Sequence, residues 1–341
     1  METMYDYIYQ EKEIFDKVIK NFKYTVKDFG RILVVGCGSS LNAGKIVEPI
    51  AIDLGLSIMC YHPVEFISIL DNVKKDDLVI FISQVGNSAL VVKAMQKVLG
   101  KCITLGLTSD DSSIIANQAD YHINVECGKE EWNCKCKGMS STTLCLLLFV
   151  LNAAKHKGTI DEEYYQKELK DIIDITSKID EYTKMIEDKL PTYLNMVSHE
   201  NNYWYLSCNY NYQVCREFAM KVIESAHVKS SYKEIEEFLH GYEMGVDNND
   251  AFLIMAFDDV SYDYGKGLKN FLLDNKVTDK VCLVSCYEEG DIILDIPHNK
   301  YNIFIGLAFL QMACFKLSQK YNIDSKEVVY KNINNYIKTK L

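Results

Sequence analysis

The sequence lacks the features that would tie it to a membrane or to nucleic acid. Its longest apolar run, Thr142 to Ala154, is too short to cross a bilayer, and its first residues have no apolar core or cleavage site of a secretion signal. Positive charge is also in deficit, because 48 acidic against 37 basic residues give a formal net charge of -11. Such a charge repels phosphate backbones and anionic lipid heads. We therefore expect a cytoplasmic protein whose partners include neither nucleic acid nor membrane.

The twelve cysteines do not follow the spacings of a disulfide framework or of a metal site. Most are scattered through apolar segments of a chain that is too large to need disulfides for stability, so we expect them to be reduced. The tightest group, within residues 127–136, has no CxxC pair and no nearby histidine. We predict no metal ion, and nothing in the sequence calls for another cofactor.

Apolar runs and helical patterns alternate twice along the chain, which at 341 residues is long enough for two domains of similar size. The first series begins at Arg31 and the second near Tyr203. Such alternation is typical of βαβ units, in which helices cover both faces of a parallel sheet. We predict an α/β fold with two doubly wound, flavodoxin-like parallel sheets in tandem. Residues 1–160 would form the first domain, 161–200 connecting helices and 201–341 the second domain.

Two polar loops follow predicted strands of the first domain: GCGSS at residues 36–40 and ISQVGNS at residues 82–88. Glycines allow close backbone approach, and the free N–H groups at a helix start favour an anion. In a doubly wound sheet two such loops can face each other and surround one phosphate with neutral donors. The predicted phosphate-binding residues are Gly38, Ser39, Ser40, Ser83, Gln84 and Ser88. Neither loop contains a lysine, which excludes a nucleoside triphosphate loop.

These loops, with the turn Val64-Glu65-Phe66 between them, resemble the motifs of the sugar isomerase (SIS) domain family. Residues 127–138, CGKEEWNCKCKG, are similar to a further family segment, and Glu130 and Lys137 match it. The resemblance implies a SIS fold that binds a phosphorylated sugar. It also adds Glu130 and Lys137 to the predicted substrate-binding residues.

Residues 215–241 resemble a stretch of tandem-SIS enzymes, which include the isomerase half of glucosamine-6-phosphate synthase and fructoselysine-6-phosphate deglycases. The match implies that Glu224 moves a proton between sugar C1 and C2 and that Lys221 belongs to the substrate site. It also implies that His240 assists ring opening from a neighbouring subunit, so a homodimer or higher homo-oligomer with shared active sites is expected. The spacing alone places Glu217, Lys221 and Glu224 on one helix face. Without the resemblance, such a face is typical of a solvated, salt-bridged surface.

Two features of these enzymes that we do not find in this sequence favour a substrate that already carries nitrogen. We find no glutaminase region and no motif for the synthase's C-terminal Schiff-base lysine, although Lys331 lies in a similar region. We therefore expect cleavage or deamination of a 6-phosphorylated ketosamine. Two alternatives stay open: an aldose-ketose phosphosugar isomerase without glutaminase activity, and a non-catalytic sugar-phosphate sensor.

Overall fold

The chain forms two parallel five-stranded sheets, and most of their strands are apolar runs. The computed structural model describes residues 2–26, 28–132, 134–326, 329–330 and 332–341, so Lys331 lies outside the described residues. The strands of the first sheet are β1 (Ile32–Gly36), β2 (Ile58–Tyr61), β3 (Leu78–Ile82), β4 (Ile103–Thr108) and β5 (Tyr121–Asn124). Those of the second are β6 (Asn202–Ser207), β7 (Lys229–Glu234), β8 (Asp250–Ala256), β9 (Val281–Ser285) and β10 (Ile292–Ile293).

The two sheets have the same topology. The first has the spatial order β2-β1-β3-β4-β5, and the second has β7-β6-β8-β9-β10, which is the same order of corresponding strands. Every strand pair is parallel. The predicted α/β fold with two doubly wound parallel sheets is confirmed.

Helices connect the strands and extend beyond them. Those before the second sheet are α1 (Met4–Tyr9), α2 (Glu11–Asn21), α3 (Ser39–Asp53), α4 (Pro63–Ser68), α5 (Ala89–Gln96), α6 (Ile114–Gln118), α7 (Lys137–Lys157), α8 (Glu162–Thr176), α9 (Ile179–Lys189) and α10 (Pro191–Met196). Those that follow are α11 (Asn209–Ala226), α12 (Ile235–Phe238), α13 (Asp259–Asp274) and α14 (Ile303–Lys320).

The chain forms two compact units. The first unit contains residues 10–131, 135–173 and 328–341, and the second unit contains residues 1–9, 132–134 and 174–327. In the first unit, Leu33 and Phe81 face a core cluster that includes Val91 of α5. In the second unit, Phe252 and Ile254 of β8 belong to a cluster with Leu268 and Leu272 of α13.

Two apolar segments form core helices. Residues Lys137–Lys157 and Lys300–Lys320 are long and apolar enough to cross a membrane, but 94% and 89% of their most apolar stretches are buried inside the protein. The apolar run at residues 142–154 predicts a buried helix, and α7, in which Leu144 to Leu151 are all buried, confirms it. Burial of this extent is the behaviour of a helix packed within a protein core.

Local chemistry explains two differences from the sequence-based strands. The sequence SIMCYHPVEF at residues 57–66 predicts one strand, but β2 ends at Tyr61, because Pro63 and the reciprocal hydrogen bonds of His62 and Glu65 start α4. Strand β7 was not predicted, since its sequence KSSYKE has no apolar run. It lies at the edge of its sheet, where polar residues are tolerated.

Candidate functional site

The two predicted polar loops of the first unit lie side by side. Strands β1 and β3 are parallel neighbours, with Gly36 opposite Ile82, so both loops leave the same edge of the sheet. Burial raises the pKa of the Cys37 thiol, and a hydrogen bond with Ser88 offsets part of this rise. That contact joins one loop to the other. The structure therefore brings together the segments that carry Gly38, Ser39, Ser40, Ser83, Gln84 and Ser88.

Close packing fixes the backbone of the second loop. Gly86 has φ +71°, and a Cβ at this position would lie 2.3 Å from the Ser113 side chain. Its N–H donates to the carbonyl of Ser83 at 2.9 Å, which closes a tight turn. Only glycine fits both the conformation and the space. The turn places Asn87 and Ser88 directly before the first residue of α5.

A buried carboxylate ties this loop to the start of the long core helix α7. Glu130 is 7% exposed. Its Oε2 accepts hydrogen bonds from Gln84 Nε2 at 2.7 Å and from the Gly138 N–H at 2.9 Å, and its Oε1 accepts from the Cys136 N–H at 2.8 Å. A carboxylate at a helix N-terminus satisfies free N–H groups and is favoured by the helix dipole. We call Gln84, Glu130 and Gly138 the Glu130 clasp.

The clasp shows that two of the predicted substrate-binding residues position the backbone around them. Gln84 and Glu130 hold the loop and the helix together, and their part in substrate binding stays a prediction. Lys137 is buried and donates from Nζ to Gln10 Oε1 at 2.8 Å. Its predicted role in binding is likewise untested by these contacts.

Gly138→Ala should disrupt the Glu130 clasp. A Cβ there would lie 2.2 Å from Gln84 Nε2 and 2.6 Å from Glu130 Oε2. Overpacking of this kind costs about 1–3 kcal/mol of unfolding free energy, which denaturant titration can measure. Gly267→Ala is the matched control, because Gly267 lies inside α13 with nothing within 4 Å of the added carbon. We expect that control to gain about 0.5–1 kcal/mol. Equal stability of the two variants would contradict the role of the clasp.

The C-terminal residues pair with the second loop. Ser88 and Lys340 form an antiparallel bridge. The Ala89 N–H donates to the Thr339 carbonyl at 3.1 Å, and the Leu341 N–H donates to the Asn87 carbonyl at 3.0 Å. Sequence reasoning missed this contact, because pairing between segments 250 or more positions apart leaves no periodic signal in either segment.

In the second unit, α11 brings Glu217, Lys221 and Glu224 together as predicted. Lys221 Nζ lies 2.7 Å from Glu224 Oε2 and 3.8 Å from Glu217 Oε1. The side chains of Glu217 and Lys221 are 1% and 3% exposed, whereas that of Glu224 is 38% exposed. This is a buried ion cluster with one accessible carboxylate, unlike the solvated helix face that the spacing alone would indicate.

Lys221 remains a cation in this cluster. Burial opposes its charged form, but the nearby Glu217 and Glu224 carboxylates outweigh that effect and hold the pKa of Lys221 well above its ordinary value. Lys221 therefore acts as a charge partner for Glu224 and not as a proton acceptor.

His240 lies in the segment that follows α12 and is exposed. Its Nε2 is 2.8 Å from Glu236 Oε1. This hydrogen bond and the charge of Glu236 raise the pKa of His240 above its ordinary value, which favours the protonated ring near neutrality. An exposed imidazolium can act as a general acid, as the predicted ring-opening role requires.

Comparisons with known proteins agree with this architecture. The model of the SIS domain family matches residues 26–154. A relative from Chlamydia caviae, glutamine–fructose-6-phosphate aminotransferase (isomerizing), is 26% identical over 267 residues, which are 76% of this chain and 42% of the relative. The chain thus spans about two-fifths of the length of that curated relative.

Two solved structures have the same fold. A Clostridium difficile protein provisionally assigned as a phosphosugar isomerase aligns with a TM-score of 0.91 at 22% identity, over 100% of this chain and 99% of that one. The C-terminal domain of glucosamine-fructose-6-phosphate aminotransferase from Francisella tularensis aligns with a TM-score of 0.83 at 18% identity, covering 94% of this chain and 96% of that domain. Both alignments extend over the two sheets.

Proposed function

Because this chain carries a SIS domain and is homologous to the isomerase domain of glucosamine-fructose-6-phosphate aminotransferases, we propose that it is a phosphosugar enzyme. Its substrate in this proposal is a 6-phosphorylated ketosamine, which it cleaves to an aldose 6-phosphate and a free amine. The phosphate would be bound by the loops after β1 and β3, where glycine backbone and neutral hydroxyls supply the donors. The proposed proton-transfer groups are Glu224 and His240.

The proposed reaction needs one base and water. The Glu224 carboxylate removes a proton from C1 of the ketosamine, and the electron pair forms a C1–C2 double bond while the C2 carbonyl oxygen takes a proton from the substrate's own ammonium, which gives an enolamine. The proton on Glu224 returns to C2, which converts the enolamine into a protonated imine at C1. Water adds to that carbon, the carbon–nitrogen bond breaks, and the sugar leaves as the aldehyde. The proton that was taken is returned, and water is the only other reactant.

The buried ion cluster on α11 is the observation that carries this proposal. Burying the ammonium of Lys221 beside Glu217 costs desolvation energy, and replacing such a cluster by apolar residues is often neutral or favourable. The presence of this cluster therefore supports a chemical role. The cluster holds the Lys221 ammonium 2.7 Å from the Glu224 carboxylate, which is open to solvent. This arrangement suits a base that must stay in one orientation.

An amine-release assay tests the proposal. The protein is incubated with fructoselysine 6-phosphate, and free lysine and glucose 6-phosphate are quantified together. We expect the two products in equal amounts. Interconversion of fructose 6-phosphate and glucose 6-phosphate without lysine release would identify an isomerase instead. Binding of either sugar phosphate without any turnover would contradict an enzymatic role and indicate a sensor.

A further inference from the structure

The second unit has a cavity of its own at the carboxyl ends of its strands. This cavity has a volume of about 240 Å³. Its walls come from the segments after β6, β8 and β9 and from the segment before α14. In the strand order β7-β6-β8, the chain crosses in opposite directions on either side of β6. Ligands of doubly wound sheets bind at this switch point, so the cavity stands at an expected ligand position.

The side chains around the cavity differ in chemistry from the loops of the first unit. The segment after β6 reads Cys208-Asn209-Tyr210-Asn211 and has no glycine, and the segment after β8 carries Asp258 and Asp259. An adjacent cavity of about 610 Å³ shares Tyr287 and His298 with the first and adds the acidic side chains Glu288, Glu289 and Asp295.

Basic groups on these walls are fewer than the acidic ones. Lys300 and His298 line the first cavity. Lys266, which lies nearby, is 2.7 Å from Glu289. The first cavity itself has two carboxylates, Asp258 and Asp259, and the adjacent cavity adds three, so the two cavities together have a negative local field. Such a field repels a phosphate and attracts a cation.

An aromatic wall adds a second attraction for a cation. The ring of Tyr287 stacks on Tyr262 with centroids 4.4 Å apart, and His298 packs edge-on at 4.8 Å. The Tyr287 hydroxyl donates to Asp259 Oδ1 at 2.5 Å, which fixes the ring beside the carboxylate. Ring faces next to carboxylates are the surroundings that an organic ammonium prefers.

A buried acceptor on the wall has no hydrogen-bond donor. Asn211 lines the cavity and is 2% exposed. Its amide nitrogen donates to Asn302 Oδ1 at 3.1 Å, while its own Oδ1 has no partner among the described residues. This Oδ1 atom is closed off from solvent and lies 3.0 Å from the position of a Cβ built on Gly306 of α14, so Asn211 makes the wall polar without offering that oxygen to a ligand.

We propose that this second-unit cavity binds the protonated primary amine of a small polar molecule. Asp259 neutralises the ammonium, Tyr287 packs against it, and Asn211 and Asn302 provide the polar back wall. Asp258, whose oxygens accept hydrogen bonds from Ser261 at the start of α13, adds its negative charge. This site is separate from the proposed reaction and does not depend on its identity. In this inference the second sheet binds its ligand at the same position in the fold as the first sheet. The first site prefers an anion, and the second prefers a cation.

Calorimetric titration of the full chain with glucosamine tests the site, with glucose as the neutral control of the same shape. We expect glucosamine to bind and glucose to bind at least about tenfold more weakly, because the charge-assisted contact is absent. Asp259→Asn should lower the affinity for glucosamine by about tenfold. The matched control is Asp263→Asn, which removes an exposed carboxylate one turn further along α13 and should leave binding unchanged.

Three outcomes would overturn the proposal: no glucosamine binding by the unmodified protein, equal affinity for glucose and glucosamine, or equal effects of the two Asp→Asn changes. Glucose 6-phosphate is titrated in parallel. Loss of its binding in Gly138→Ala but not in Asp259→Asn would assign the phosphate to the first unit. The failure of one site is thereby distinguished from the failure of the other.

Discussion

Glu224→Gln should reduce turnover of a 6-phosphorylated ketosamine by about a thousandfold or more, because general base catalysis contributes about 10²–10⁴ and the amide cannot accept the C1 proton. The substitution keeps the size of the side chain. Its carbonyl oxygen can still face Lys221, which lies 2.7 Å from the present carboxylate. Affinity for glucose 6-phosphate, measured by calorimetry, should therefore remain nearly unchanged.

The matched control for this experiment is Glu181→Gln. Glu181 is an exposed residue in the first turn of α9. Its substitution by Gln therefore removes the same charge from another helix of the second unit. We expect full activity from that protein. Retained amine release in Glu224→Gln would reject Glu224 as the base, and a loss of sugar-phosphate affinity equal to the loss of turnover would assign it to binding instead.

Lys221→Met should lower the unfolding free energy by about 3–5 kcal/mol, because it leaves the buried Glu217 carboxylate without its cation. Glu217 and Lys221 have side chains that are 1% and 3% exposed, so water cannot replace the lost partner. The measurement is urea denaturation followed by circular dichroism. The double variant Glu217→Gln with Lys221→Met should recover part of the loss, since it removes the buried negative charge as well.

Lys184→Met provides the comparison at the surface. Lys184 Nζ lies 2.8 Å from Asp188 Oδ1, and the two residues are four positions apart on one helix, as Glu217 and Lys221 are. The side chain of Lys184, however, is 62% exposed. Exposed pairs of this kind contribute about 0–1 kcal/mol. Similar small effects of Lys184→Met and Lys221→Met would mean that the α11 cluster is not an energetically buried unit.

Much of the fold could be predicted because most strands are short apolar runs between amphipathic helices. The runs that became β1, β3 and β8 are buried at every position, which matches the pattern of a parallel sheet covered on both faces. Strand β7 escaped detection because an edge position permits the polar sequence KSSYKE. The periodicity of apolar residues reflects which side chains are buried, so it cannot reveal a strand with few buried side chains.

The site was predictable where local spacing sets geometry. Glu217, Lys221 and Glu224 lie on one face because the helical repeat places residues three and four apart together. The burial of that face depends on helices distant in sequence, such as α14, which packs against α11, and no local pattern contains that information. The Glu130 clasp has the same origin, since it joins residues 84, 130 and 138 through tertiary packing alone.

The pairing of residues 339–341 with residues 87–89 makes the first unit discontinuous in the chain. During synthesis the residues of α5 emerge long before the segment that satisfies the Ala89 N–H and the Asn87 carbonyl, and the whole of the second sheet is made in between. A recombinant fragment that stopped after α7 would leave this backbone to be hydrated by water. Completion of the loop therefore waits until the second sheet has been synthesised.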